Sequence, residues 1–141
     1  MRHIILITLS FLLFSCGNSD NSKTAISSEK PDGYFEGGKL YNAVCAACHD
    51  QSGVSKIKIY PPLKNSDYLK ANQSKIACII KNGINEPLVV NGETYKFKMN
   101  GFPEYTAQEV SQIINYINNS WGNNYGSITT EEVKSQLKAC K

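Results

Sequence analysis

Residues 45–49 read Cys-Ala-Ala-Cys-His, and this pentapeptide restricts the possible fold more than any other part of the sequence. Such a motif serves covalent cofactor attachment, a structural zinc site or a dithiol redox pair. A zinc site needs two more Cys or His ligands at suitable spacing, and the remaining candidates, Cys78 and Cys140, do not form a second C-x-x-C. A dithiol pair needs a preceding strand, whereas the residues before Cys45 have helical spacing. The pentapeptide therefore favours cofactor attachment.

C-x-x-C-H is the attachment signature of c-type haem. The two thiols add to the two vinyl groups on one edge of the porphyrin, and the adjacent histidine reaches the iron. We therefore predict one covalent haem c, attached through Cys45 and Cys48, with His49 as an iron ligand.

The N-terminal residues 1–15 predict a lipoprotein signal peptide. The apolar run at residues 4–14 is too short to span a bilayer and has the length of a signal-peptide core. It ends in Leu-Phe-Ser-Cys, which predicts cleavage before Cys16 and lipidation of that cysteine. An ordinary signal peptide cut nearby, or an uncleaved anchor, is the alternative. The prediction places the protein outside the cytoplasm, anchored on the periplasmic side of a membrane.

The rest of the chain predicts a flexible tether followed by one folded domain. Residues 16–31 are nearly all polar or small, which favours a tether, and residues 32–141 form the predicted domain. The domain is expected to be all-α, with about four to five helices and a small β-hairpin near residues 87–97 around an Asn91-Gly92 turn. Two Thr-x-x-Glu capping boxes, beginning at Thr106 and Thr129, predict the starts of the last two helices. A net charge of only +3 without a basic cluster excludes nucleic-acid binding.

Met99 is the predicted second iron ligand. Iron in electron-transfer haems takes His or Met on its distal side. The sequence has two histidines and two methionines, and cleavage before Cys16 removes His3 and Met1. Met99 then remains, in a predicted loop before the clearest helix. Alternatively, Met99 fills a gap in the core, and the distal position is open or holds lysine or water.

Residues 34–141 resemble class I monohaem cytochromes c of bacteria, which occur as small carriers and as cytochrome subunits of respiratory enzymes. C-x-x-C-H alone is shared by many folds, so the resemblance depends on an ordered set of segments. These segments lie at residues 38–41, 45–49, 60–63, 66–69, 81–83, 90–95, 99–102, 115–117, 119–123 and 128–133.

The resemblance implies helices wrapped around one haem, the first crossing the helix on the Trp121 side. It also implies that a carbonyl in the Pro61-Pro62 segment accepts a hydrogen bond from the His49 ring N–H, which would fix the imidazole; a plain rigid loop is the alternative. Where the family has a proline soon after the ligand methionine, this chain has residues 100–102, Asn-Gly-Phe. The expected haem wall consists of Tyr60, Pro61, Pro62, Leu63, Tyr68, Tyr95 and Phe102.

Cys78 and Cys140 are left after Cys16 and the two haem thiols are assigned. An even remainder in an oxidising compartment favours a disulfide. It would join the last helix to the helix near residues 76–80. Two unpaired thiols are the alternative.

These features predict a one-electron carrier rather than an enzyme, working between a reductase and a terminal acceptor. A dedicated cytochrome subunit of an oxidase, nitrite reductase or dehydrogenase complex is the main alternative. A haem enzyme or gas sensor would need an open distal site. Lysines would steer the protein to an acidic partner, unless they merely form a solvated surface: Lys56, Lys58, Lys64, Lys96 and Lys98.

Overall fold

The computed structural model describes residues 29–140. The predicted signal peptide, the lipidation at Cys16 and nearly all of the predicted tether lie outside these residues. Within them, no helix is both long and apolar enough to cross a bilayer. The helices are α1 (Tyr34–Leu40), α2 (Ala46–His49), α3 (Asp67–Ala71), α4 (Ile76–Asn82), α5 (Ala107–Asn118) and α6 (Thr130–Lys138). The strands are β1 (Gly83–Ile84), β2 (Leu88–Val90), β3 (Glu93–Tyr95) and β4 (Met99–Asn100).

Local sequence signals explain where the helices begin and end. A π-helical turn (Tyr41–Cys45) joins α1 to α2, so one helical segment leads into the C-x-x-C-H motif as predicted. Both predicted capping boxes are present, at Thr106 for α5 and Thr129 for α6. Each threonine hydroxyl accepts a hydrogen bond from a backbone N–H that would otherwise have no partner. Gly83 ends α4, with φ of 80°.

The predicted hairpin is confirmed as β2 and β3, which pair antiparallel. Asn91 and Gly92 have φ of 52° and 83°, as a type I′ turn requires. A second pair, β1 with β4, was not predicted. Met99 therefore lies in a short strand and not in the expected loop, because two-residue strands have no periodicity that a sequence can reveal.

The domain is built on a close crossing of α1 over α5, as the resemblance implied. A Cβ atom on Gly37 would overlap the Gln112 carbonyl oxygen, so glycine is needed for the two backbones to meet. Beside the crossing, the Tyr41 ring packs against Tyr116 and Trp121 at centroid distances of 5.2 Å and 5.3 Å. This packing fixes the helical segment that carries the C-x-x-C-H motif.

α6 also packs on α5, and its Val133 is fully buried. Cys140, two residues after α6 ends, forms a disulfide with Cys78 of α4. The bond joins the C-terminal end of the described chain to the helix near residues 76–80, which is the pairing that the cysteine count favoured over two free thiols.

Candidate functional site

Cys45, Cys48, His49 and Met99 line the same cavity, which has a volume of about 280 Å³. Its other walls come from the π-helical turn, the loop at residues 60–63, α3, α4, α5, the hairpin and β4. Most of the lining is apolar, and isoleucines of α4 and α5 contribute much of it: Ile76, Ile79, Ile80, Ile113 and Ile117. A wide, apolar cleft of this kind suits a flat hydrophobic group.

The His49 imidazole is held in one orientation by the Pro61 carbonyl. Its Nδ1 lies 3.0 Å from the Pro61 oxygen, and because a carbonyl can only accept, Nδ1 carries the proton. Burial lowers the pKa of His49, and the Pro61 hydrogen bond opposes this shift. The ring is therefore neutral at neutral pH, with a lone pair on Nε2. Such a nitrogen is a suitable iron ligand.

A network around Gly53 and Asn123 holds the loop that carries Pro61. The N–H groups of Leu63 and Lys64 both donate to the Gly53 carbonyl, at 2.8 Å and 3.0 Å. Asn123 is buried, and its side-chain amide donates to the Leu63 carbonyl at 3.0 Å. The loop that carries the histidine's hydrogen-bond partner is thus held by the Gly53 carbonyl and by one side chain far away in sequence, that of Asn123.

The two motif cysteines are half-buried and are not bonded to each other. Burial raises the pKa of the Cys45 thiol to about 11. This is opposite to the lowered pKa that activates a catalytic dithiol. Among residues 29–140, moreover, no three His, Cys, Asp or Glu side chains come together in a group that could bind a metal ion. The geometry therefore favours neither the dithiol nor the zinc alternative.

Met99 is the second side chain in the cavity, after His49, that could bind the iron of a haem. It is half-buried in β4 and opposite Ile84 in the strand register, and both side chains line the cavity. Within residues 29–140, His49 supplies the only imidazole and Met99 the only thioether.

Six of the seven residues expected in the haem wall lie around the cavity, and one lies elsewhere. Six line the cavity: Tyr60, Pro61, Pro62, Leu63, Tyr68 and Phe102. The seventh expected residue, Tyr95, does not line this cavity and lies instead in a surface depression beside Lys58 and Ile59. Tyr95 belongs to β3, the outer strand of the hairpin, whereas Leu88 and Val90 of the inner strand β2 reach the cavity.

Several cavity residues had no signal that marked them as functional. The isoleucines of α4 were visible only as an apolar helix face, which is equally typical of a protein core. Phe97 lines the cavity but is 54% exposed, and Ile84 enters through the unpredicted β1–β4 pair. These positions depend on tertiary structure and not on local pattern.

The residues present fit a c-type haem. Two unbonded thiols, a neutral imidazole with a free ring nitrogen and a thioether face one apolar cavity. The thiols and the imidazole would hold the group covalently and through its iron, and the apolar walls would enclose the porphyrin.

Comparison with known proteins agrees with this fit. The sequence model of the family described as "Cytochrome c" matches residues 35–121. Cytochrome c-552 of Thermus thermophilus is 29% identical over 115 residues, covering 75% of this chain and 86% of that protein. The cytochrome c subunit of the quinone alcohol dehydrogenase of Gluconobacter oxydans is 26% identical over 122 residues, covering 84% of this chain and 25% of the subunit. With the family model matching well over half of it, the chain belongs to the cytochrome c family, as a class I cytochrome c with one covalently bound haem c.

Proposed function

We propose that this cytochrome c is a one-electron carrier whose haem iron is ligated by His49 and Met99. The observation that supports the proposal is that the imidazole and the thioether of the described domain line one apolar cavity. With His49 and Met99 both bound to it, the iron would have no free position for small molecules. The protein would then pass electrons without transforming a substrate.

When bound, the haem supplies reversible one-electron chemistry at its iron. Cys45 and Cys48 keep it attached, and His49 is oriented by Pro61. As a soft ligand, the Met99 thioether would stabilise Fe(II) and raise the reduction potential. The apolar walls would exclude water and so keep the reorganisation energy of electron transfer small.

We further propose that electrons pass through a surface beside Phe97. This Phe97 surface is the depression lined by Lys58, Ile59, Thr94, Tyr95, Lys96 and Phe97. Phe97 also lines the haem cavity, and its ring meets that of Tyr60, another cavity residue, edge to face at 5.3 Å. Ile59 and Phe97 are about half exposed. An apolar centre between two lysines fits a redox partner with an acidic surface.

Charge reversal tests this surface. The double substitution Lys58→Glu with Lys96→Glu should slow reduction of ferricyanide, a small anionic oxidant, and weaken the dependence of that rate on ionic strength. Lys75→Glu, on an exposed lysine at the N-terminus of α4, serves as the control with a single reversed charge. Equal rates for the wild type and the double variant would contradict the proposed route.

A second candidate function is that of a cytochrome subunit in an oxidoreductase complex. The likeness to the dehydrogenase subunit of Gluconobacter oxydans favours it. The two functions differ in how the protein is found in the cell. A subunit would co-purify with an oxidoreductase in a fixed ratio after mild detergent extraction, whereas a carrier would purify alone.

We also propose that the domain is tethered outside the cytoplasm through a lipid on Cys16. The support is the sequence of residues 1–31. Cells fed a clickable palmitate analogue should label the wild-type protein and not Cys16→Ser. A labelled Cys16→Ser variant, or an unlabelled wild type, would contradict the lipid anchor.

Carbon monoxide tests the closed iron site. Reduced wild-type protein should keep its spectrum under carbon monoxide, because the Met99 thioether would leave the iron no free position, and Met99→Ala should bind the gas. Ready binding by the wild type would instead support a haem enzyme or gas sensor with an open site.

A further inference from the structure

The segment that carries Met99 is attached to the end of α4. In the β1–β4 pair, Met99 lies opposite Ile84, and Asn100 lies opposite Gly83. β1 follows α4 directly, and α4 is fixed in the core by buried isoleucines and by the disulfide to Cys140. The Met99 backbone is therefore paired with the corner between α4 and β1, and the core and the disulfide hold α4 in place.

Two glycines allow the backbone of the Met99 segment to contact the backbone at the end of α4. Gly83 has φ of 80°, and a Cβ atom on it would overlap the Met99 carbonyl oxygen and lie 2.7 Å from the Gly101 nitrogen. A Cβ atom on Gly101 would overlap the Lys81 carbonyl oxygen. The contact between the two segments thus has no room for a side chain on either side.

Three further hydrogen bonds join the residues after Met99 to the last turn of α4. The Phe102 N–H donates to the Ile80 carbonyl at 2.9 Å. The Lys81 ammonium donates to the Tyr105 carbonyl at 2.6 Å and to the Pro103 carbonyl. A charged donor bonded to backbone carbonyls is among the stronger hydrogen bonds in proteins.

We propose that Gly83 and Lys81 are positioning residues that hold the Met99 thioether on the haem iron. The inference rests on the ligation proposed above. Asn100 and Gly101 follow Met99, and neither restricts the backbone by itself. The rigidity needed to keep the sulfur in place therefore comes from α4 and β1, across the strand pair.

The test is the rate at which imidazole replaces the methionine on oxidised iron, since this rate rises when the sulfur dissociates more often. Gly83→Ala should raise it about tenfold and weaken the far-red sulfur-to-iron absorption band, because the added methyl group displaces β4. Gly126→Ala is the matched control. Gly126 has a similar φ of 87°, but a Cβ atom there would meet nothing within 4 Å.

Lys81→Met provides a second, milder test should Gly83→Ala not fold. It keeps the apolar stem and removes the charged donor, and it should raise the imidazole rate about threefold. Lys75→Met, on an exposed lysine at the other end of α4, should leave the rate unchanged.

The outcomes separate this inference from the proposed ligation. A wild type without the sulfur-to-iron band would refute the ligation by Met99 and, with it, the inference. A wild type with the band, but with Gly83→Ala and Lys81→Met no faster than their controls, would refute only the positioning role. Folding of each variant is checked by its resistance to urea.

Discussion

Asn123→Ala tests whether one buried amide holds the loop that carries the histidine's hydrogen-bond partner. The Asn123 Oδ1 accepts from the Asn65 N–H at 2.8 Å. Its Nδ2 donates to the carbonyls of Leu63 at 3.0 Å and Ile117 at 2.8 Å. These bonds connect the loop of residues 61–65 to the last turn of α5.

The expected cost follows from these three hydrogen bonds. Alanine removes all of them and leaves three backbone groups without their partners, and each bond contributes about 1 kcal/mol. We therefore expect Asn123→Ala to lower the free energy of unfolding by about 3 kcal/mol. For a domain of this size, that loss corresponds to a fall in Tm of roughly 12 °C.

Urea denaturation of the haem-loaded protein, followed by the fluorescence of Trp121, measures this loss. The neighbouring Asn124 is exposed, so Asn124→Ala should change the free energy of unfolding by less than about 0.5 kcal/mol. If Asn123→Ala costs no more than Asn124→Ala, the reasoning about the loop is refuted.

Three other changes have defined outcomes. Replacing Cys78 and Cys140 by serine should lower the free energy of unfolding by about 4 kcal/mol on the chain-entropy model, since the bond spans 62 residues; an unchanged urea midpoint would contradict it. Gly37→Ala should cost about 3 kcal/mol because its Cβ overlaps the Gln112 carbonyl, and a wild-type Tm would contradict that. Hydrogen bonds from the backbone and side chain of the α5 cap hold the pKa of Glu109 below its ordinary 4.5. The stability they contribute is present above that pH and is lost as the pH falls through the lower folded pKa. In Glu109→Gln, the free energy of unfolding should therefore depend less steeply on pH in this range.

The sequence predicted the features whose signals are local. Capping boxes at Thr106 and Thr129 located α5 and α6, and the Asn91-Gly92 turn located the hairpin, because each depends on residues within a few positions. The C-x-x-C-H motif predicted the haem for the same reason, since its chemistry is contained in five adjacent residues. Such signals retain their meaning without knowledge of the rest of the fold.

The features that were missed depend on contacts between distant segments. The strand at Met99 exists because Gly83–Ile84 lies beside it, and neither segment has a pattern of its own. Tyr95 was expected in the haem wall, but which strand of the hairpin faces the cavity is decided by packing against the domain. The role of Asn123 likewise arises from three partners in two other segments.

The ligation of the iron by Met99 is the central claim, and the far-red absorption spectrum of the oxidised protein tests it most directly. A thioether bound to Fe(III) gives a sulfur-to-iron charge-transfer band in this region. We predict that the wild-type protein shows the band and that Met99→Ala loses it while still retaining its covalent haem. A wild type without the band, or a Met99→Ala variant that keeps it, would contradict the account.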